Sequence, residues 1–431
     1  MKVFSASDPL FQRKLSAFIR EEGGDAQIRE TVATILEEVR TRGDRAVIEY
    51  THKFDGFRSR PSELRVDIGE IKAGERTLTR EERHAIKEAI RCVTDFHRQS
   101  LPKSWVKRNP HGAKVGENWY PLGRVGIYIP AGSVPLVSTA VMTIPIARLA
   151  GVRSIAVFTP AGRDGRVSPQ MLAGLSLCGA TEVYRVGGAQ AIAAMAFGTR
   201  SIAPVDKVMG PGNAFVAEAQ RQVFGKVGID LLPGPSEAML IMDQSARVEW
   251  VAADLLAQAE HGSGRERLYL VHADAKLAEA VCRAVEEQIP RLRHAAAVRK
   301  VWATRAAVIQ VESMDQAVEV ANHIAPEHLE LHLDKTERKK CIKGIRTAGA
   351  ILVGHDTPTV IGDFTAGPSH TLPTARTGRF FSGLKITDFM RRSSIVEYDA
   401  GSLAKARQTV RVFSNLENLD AHGRSMEIRF E

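Results

Sequence analysis

From Pro121 onward, short β-type apolar runs alternate with helix-like segments, and this alternation constrains the fold more than anything else in the chain. Val125–Pro130, Ser154–Phe158, Glu182–Val186, Val205–Met209 and Val227–Leu232 read as strands. Thr139–Ala150, Pro169–Leu177, Ala189–Phe197 and Ala214–Phe224 read as the helices between them. The strands recur at about 25–30 residues, the length of a βαβ unit, so a parallel sheet with helices on its faces is expected. A second series follows. Strands are predicted at Ala238–Met242, Arg267–Val271, Ala307–Gln310 and Ala350–Val353, and helices at Val248–Glu260, Lys276–Glu287, Met314–Asn322 and Lys335–Thr347. The chain therefore reads as two α/β modules.

Helices flank them. Leu10, Phe11, Leu15, Phe18 and Ile19 put one apolar face on Asp8–Arg20, ended by a turn at Glu21–Gly24; the same period returns over Ile28–Phe54 and Glu81–Arg98. The tail from Ser402 to Phe430 is again helical, with an interruption near Leu419-Asp420. Gly362–Arg379 is rich in Gly, Pro, Thr and Ser and reads as a loop. The 431 residues allow several cores, roughly two to four domains at 100–200 residues each. Cys92, Cys178, Cys282 and Cys341 are too scattered for a disulfide framework or a thiolate zinc knuckle, so a reducing cytoplasm is expected. No apolar run nears the ~20 residues of a membrane span, and the first residues lack a signal peptide's apolar core. The net charge of +9 raises the question of nucleic acid, but at 6% aromatics and without long basic clusters it reads as a solvated surface that favours anionic cofactors.

The dinucleotide fingerprint G-x-G-x-x-G is missing from both modules. In its place, Tyr128-Ile129-Pro130-Ala131-Gly132, Gly187-Gly188-Ala189-Gln190, Gly210-Pro211-Gly212-Asn213 and Gly234-Pro235-Ser236-Glu237 follow predicted strands, where open parallel sheets gather ligands. Nine of the thirteen histidines lie at or after His261, which directs attention to that half for chemistry. Gln258 and His261 share a helix face ahead of Gly262 and Gly264. Two readings are open: a pair of ligands to one ion, or a histidine that merely complements the helix C-terminus. Pro326 fits the first turn of a helix, so Glu327 and His328 would sit beside a helix N-terminus, diverging by about 100°, suited to two sides of one reacting centre or simply a common dipeptide. Asp363 and His370 are polar anchors in the glycine-rich loop. Asp420 would cap a last helix with His422 in its first turn.

These windows, in this order and across almost the whole chain, resemble histidinol dehydrogenase. The resemblance implies two Rossmann-like modules without the glycine fingerprint, one inserted in the other. It divides the chain into an N-terminal helical arm (1–24), a discontinuous first domain (25–124 and 237–378), a second domain (125–236) and a C-terminal helical tail (379–431) reaching the partner of a domain-swapped homodimer. It also implies one zinc ion per subunit on Gln258, His261, Asp363 and His422, the last from the neighbouring subunit, a donor set of nitrogen and oxygen that suits a catalytic zinc. Substrate contacts are implied at Ser236, His328, His370 and Glu417 beside those four ligands, and NAD contacts at Tyr128, Gln190 and Asn213. The implied reaction is the four-electron oxidation of L-histidinol to L-histidine through L-histidinal, with His328 as general base and Glu327 activating the water that hydrates the aldehyde. Ser369 stands where some members have asparagine and Asn418 where glycine often follows the glutamate; neither is an implied ligand. Two rivals remain: a zinc- and NAD-dependent paralogue acting on another small alcohol such as a sulfonated diol, and a metal-dependent hydrolase.

Overall fold

The computed structural model describes residues 1–20, 26–130, 136–232, 234–261 and 263–431. The turn expected at 21–24, the Ala131-Gly132 pair and the helix-stopping Gly262 lie outside the described residues. Among these residues the strands form three sheets. The larger parallel sheet runs Lys2–Ser5, Ala306–Gln310, Arg267–His272, Glu237–Met242, His328–His332, Ala350–Val353 in space. The smaller, also parallel, runs Glu182–Tyr184, Ser154–Phe158, Arg124–Tyr128, Lys207–Met209, Gly228–Ile229. Apart from the N-terminal strand, both have chain order 3-2-1-4-5, an open α/β sheet whose switch point lies between its first and fourth strands.

Strands covered on both faces are apolar throughout, and Glu237–Met242 and Arg267–His272 are buried at every position. Ala238, Leu240 and Met242 share a core with Val251, Leu255 and Leu256 of the helix Val248–Ala259. Met239 and Ile241 face the other way, onto Phe11, Leu15 and Ile19. The N-terminal segment is therefore no separate helical arm: its strand Lys2–Ser5 extends the larger sheet, and its helix Phe11–Ile19 covers one face.

The grouping of 25–124 with 237–378 also departs from the packing. Helices Ala26–Arg42 and Asp44–Asp55 lie on Gly188–Phe197, and Ile68–Gly74 and Arg80–Arg98 lie on helices of the smaller module. Burial explains this, because Val32, Ile35, Val39 and Val47 share a core with Ile192 and Met195, and Ile71 and Val93 share one with Leu172 and Ile146. The helix predicted over 28–54 is broken by Gly43, whose φ of +55° is costly for any residue with a Cβ.

Three elements were not expected. A helix occupies Ala295–Arg305. Trp105–Arg108, Lys114–Pro121 and Met390–Glu397 form an antiparallel sheet, so the tail begins with a strand paired along its whole length and is not wholly helical. The region after Pro326 is the strand His328–His332 and not a helix. No helix among the described residues is long and apolar enough to cross a membrane.

Candidate active site

His328 opens its strand and pairs in register with Ala238, so it stands at the amino edge of the larger sheet beside Ser236 and Glu237. The windows expected at strand carboxyl ends all follow strands of the smaller sheet, whereas His328 and Glu327 lie at the amino edge of the larger one. Helices that follow the strands run back antiparallel to them, so the C-terminal end of Val248–Ala259, with Gln258 and then His261, returns to the same edge.

The segment between the helix ending at Ile324 and the strand is not helical, with Ala325 in the left-handed region, so no helix begins before His328 and no helix dipole holds it neutral. Its Nδ1 lies 3.3 Å from the Glu237 carbonyl, which can only accept, so Nδ1 is protonated in both the neutral and the charged ring and Nε2 is the nitrogen that gains and loses a proton. Nε2 is 3.8 Å from Asp363 Oδ1, and Nδ1 is 3.6 Å from Glu327 Oε2. Burial alone would lower the imidazole's pKa, but Glu327, Asp363 and the Glu237 carbonyl outweigh it and raise it to about 9. Glu327 is buried and Oε2 accepts a hydrogen bond from Glu237 N at 2.9 Å, which anchors the carboxylate to the neighbouring strand.

Asp363 lies in the short helix Thr359–Phe364 and not in the loop expected there. His370 is in the loop, with its neighbour Ser369 donating to the Met142 carbonyl of the smaller module at 3.0 Å. Burial lowers the pKa of His370, and the charges of Asp363, His328, Glu327 and His261 reach it. Gln258 is fully buried, and neither atom of its amide has a partner. An orphaned buried amide near the end of the helix that precedes His261 fits a metal ligand, since such a group is otherwise expensive to bury. His261 is exposed. Glu417 and His422 are exposed on the tail, and among the described residues their side chains make no hydrogen bond or ion pair with this cluster. The two resemblance-implied positions are thus separate from the site within one chain.

The nucleotide candidates gather at the switch point of the smaller sheet. Tyr128 ends its central strand, and its hydroxyl accepts from Gly188 N at 3.1 Å. Gln190, in the first turn of the helix Gly188–Phe197, is wholly buried with both amide atoms unpaired. Gly210 holds φ at +106°, and a Cβ there would meet the Tyr128 carbonyl oxygen at 2.2 Å, so two strand ends approach as only glycine permits. Asn213 is exposed and its Oδ1 caps the next helix through Phe215 N and Val216 N. Asp55, unremarked in the sequence, reaches this point from the N-terminal helices, and burial raises its carboxyl to about 6.

A second polar cluster lies behind the first. Asp254, Glu330 and His332 each offer one ligand atom within 4.8 Å of the others, a His/Asp/Glu group able to hold a metal ion. It was legible in the alternation His328-Leu329-Glu330-Leu331-His332, a period of two that marks a strand and puts the three polar residues on one face.

The histidinol dehydrogenase family model matches residues 19–430. The chain is 40% identical to histidinol dehydrogenase of Gluconobacter oxydans over 100% of both chains, and 42% identical to that of Agrobacterium fabrum over 97% of this chain and 96% of the other. Its fold superposes on the crystal structure of histidinol dehydrogenase from Elizabethkingia anophelis with a TM-score of 0.93, at 31% identity, covering 100% of this chain and 98% of that one. End-to-end matches in both sequence and fold establish that this chain belongs to the histidinol dehydrogenase family.

Proposed function

We propose that this chain catalyses the NAD-linked oxidation of L-histidinol to L-histidine. The observation that carries this reading is His328, buried at the amino edge of the larger sheet with Nδ1 on the Glu237 carbonyl and two carboxylates beside it, in a chain that matches the family along its length. Gln258, His261 and Asp363 would hold zinc, with His422 of a second subunit completing the set. Tyr128, Gln190 and Asn213 would hold NAD. When bound, zinc would fix the substrate's nitrogens and NAD would accept hydride.

The chain's own groups supply the rest. In its neutral form His328 takes the hydroxyl proton on Nε2 as the carbinol carbon loses hydride, and the Glu237 carbonyl steadies the imidazolium so formed through Nδ1–H. Glu327 holds the strand through one oxygen and presents the other to the water that hydrates the aldehyde. The imidazolium returns its proton to the aldehyde oxygen as the hydrate forms, and Glu327 passes the water's proton to solvent; His328, neutral again, takes the proton of the hydrate as a second hydride leaves. Ser236, His370 and Glu417 would orient the substrate. Burial of Glu327 and His328 keeps bulk water away from the aldehyde between the two oxidations.

A homodimer with shared sites accounts for the tail. Val412, Phe413, Leu416, Leu419 and Ile428 are exposed apolar residues around Glu417 and His422, a surface suited to burial against a second copy. Purified protein given L-histidinol and NAD should form two NADH per histidinol, lose activity to a strong chelator and regain it with zinc. Absence of NADH formation with zinc present overturns the reading. Mixed dimers of His261→Ala and His422→Ala subunits should recover part of the activity; verified heterodimers without recovery overturn the shared site.

A further inference from the structure

Along His328–His332 side chains alternate. Leu329 and Leu331 enter the core under Phe11 and Leu15, leaving His328, Glu330 and His332 on the opposite face, toward the helix Val248–Ala259. On that face His332 Nε2 lies 2.9 Å from Glu330 Oε2 and 3.4 Å from Asp254 Oδ2. Glu330 uses its other oxygen on Thr359, accepting from the backbone N at 2.8 Å and from the hydroxyl. Glu330 and His332 are buried and Asp254 is nearly so.

Three elements meet here, and each carries a residue of the proposed site a short step further on. Asp254 and Gln258 are one helical turn apart on the same face. Glu330 is two residues from His328 on the same face of the strand. Thr359 starts the helix that carries Asp363 four residues later. A displacement of any of these elements would therefore move Gln258, His328 or Asp363.

We infer that Asp254, Glu330 and His332 form a buried ion-pair clamp that sets the spacing of Gln258, His328 and Asp363, making all three positioning residues for the zinc and the base. The inference rests on the proposed function. His332 Nε2 serves both carboxylates and the second oxygen of Glu330 is taken by Thr359, while His332 Nδ1 is buried without a partner. The carboxylates are thus tied together through protein groups alone, one turn behind the ligands they would orient.

The test compares the wild-type holoenzyme with Asp254→Asn, Glu330→Gln and Glu182→Ala. The last breaks an ion pair of the smaller sheet and serves as a control for general destabilisation. Zinc affinity is read by competition with a chelator of known affinity, zinc content by mass spectrometry, and kcat and KM at saturating zinc. Partners of metal ligands are typically worth about 10–100-fold in metal affinity or activity, and a loss of that size is expected in zinc affinity for Asp254→Asn and Glu330→Gln, with the KM for NAD unchanged. Glu182→Ala should lower Tm without moving zinc affinity. Should Asp254→Asn fail to fold, Glu330→Gln decides, since its amide oxygen can still accept from Thr359. Wild type that binds zinc and oxidises histidinol while both clamp variants match it in zinc affinity and kcat overturns the clamp alone. Wild type that binds no zinc overturns the proposed function and the clamp with it. Two zinc ions per wild-type chain, one lost in Asp254→Asn with kcat retained, would make the cluster a metal site and overturn the clamp.

Discussion

Glu327→Gln in the zinc-free protein isolates what sets the proton affinity of His328. The carboxylate Oε2 is 3.6 Å from Nδ1. Opposite unit charges about 4 Å apart at an effective dielectric near 20 attract by about 4 kcal/mol, an upper bound of about 3 pKa units. Neighbouring opposite charges typically shift a pKa by about 1–3 units, so the value should fall by that amount from about 9. It should not collapse fully, because Asp363 Oδ1 at 3.8 Å and the Glu237 carbonyl remain. The amide oxygen of glutamine can still accept from Glu237 N, so the strand should hold its place. The assay is a carbon NMR titration of the ring, assigned by its loss in His328→Asn. Stability gives a second reading with a definite sign. The wild-type imidazole binds its proton more tightly folded than unfolded, so the pair stabilises fully below pH ~6.5 and its contribution is lost as pH rises through about 9. The variant should therefore be less stable at neutral pH and converge with wild type above that range. A ring that titrates unchanged, or higher, in Glu327→Gln would refute the assignment of Glu327 as its main charge partner.

Replacing Gln190 with leucine removes a buried amide that has no partner in the protein, so Tm should hold or rise while NAD affinity falls, as differential scanning fluorimetry and NAD titration would show. Unchanged NAD affinity would remove Gln190 from the nucleotide site. Glu182→Ala leaves Arg124 without its bidentate partner at 2.5 and 2.8 Å, largely out of solvent, and should cost about 3 kcal/mol in urea denaturation. His97 is buried with both ring nitrogens unpaired, and burial lowers its pKa to about 4. Its unfolded form takes up a proton first as pH falls below ~6.5, so about 1 kcal/mol of stability should be lost between pH 7 and pH 5, allowing for partial solvent access. His97→Phe should flatten that slope.

Much of the fold was legible because its strands are short, apolar and bounded by glycine or proline. Ser154–Phe158 and Ala350–Val353 fall where the sequence placed them. His328–His332 was misread because Pro326 suits a helical first turn as well as an extended lead-in, and the polar members of the strand hid its burial. The antiparallel sheet escaped because Met390–Glu397 finds its partner at Lys114–Pro121, well over half the chain away. At the site, Glu327, His328, Asp363 and His370 could be named from local motifs; the alternation around Glu330 and His332 puts them on one face of a strand, but nothing local joins Asp254 to them. Their meaning lies in a contact between a helix and a strand more than seventy residues apart.

Sequence alone determined the α/β class, the approximate number of modules and which side chains carry donors and bases, since these depend on periodicity and residue chemistry within a few turns. Tertiary structure decided which module the N-terminal helices cover, because apolar faces pair by shape and burial and not by order in the chain. It also decided that the reactive cluster stands at the amino edge of the larger sheet and the nucleotide candidates at the carboxyl edge of the smaller one. The charge state of His328 belongs to the same category, for it is set by carboxylates and a carbonyl brought within 4 Å by strand register and helix packing, and no local sequence rule measures those distances.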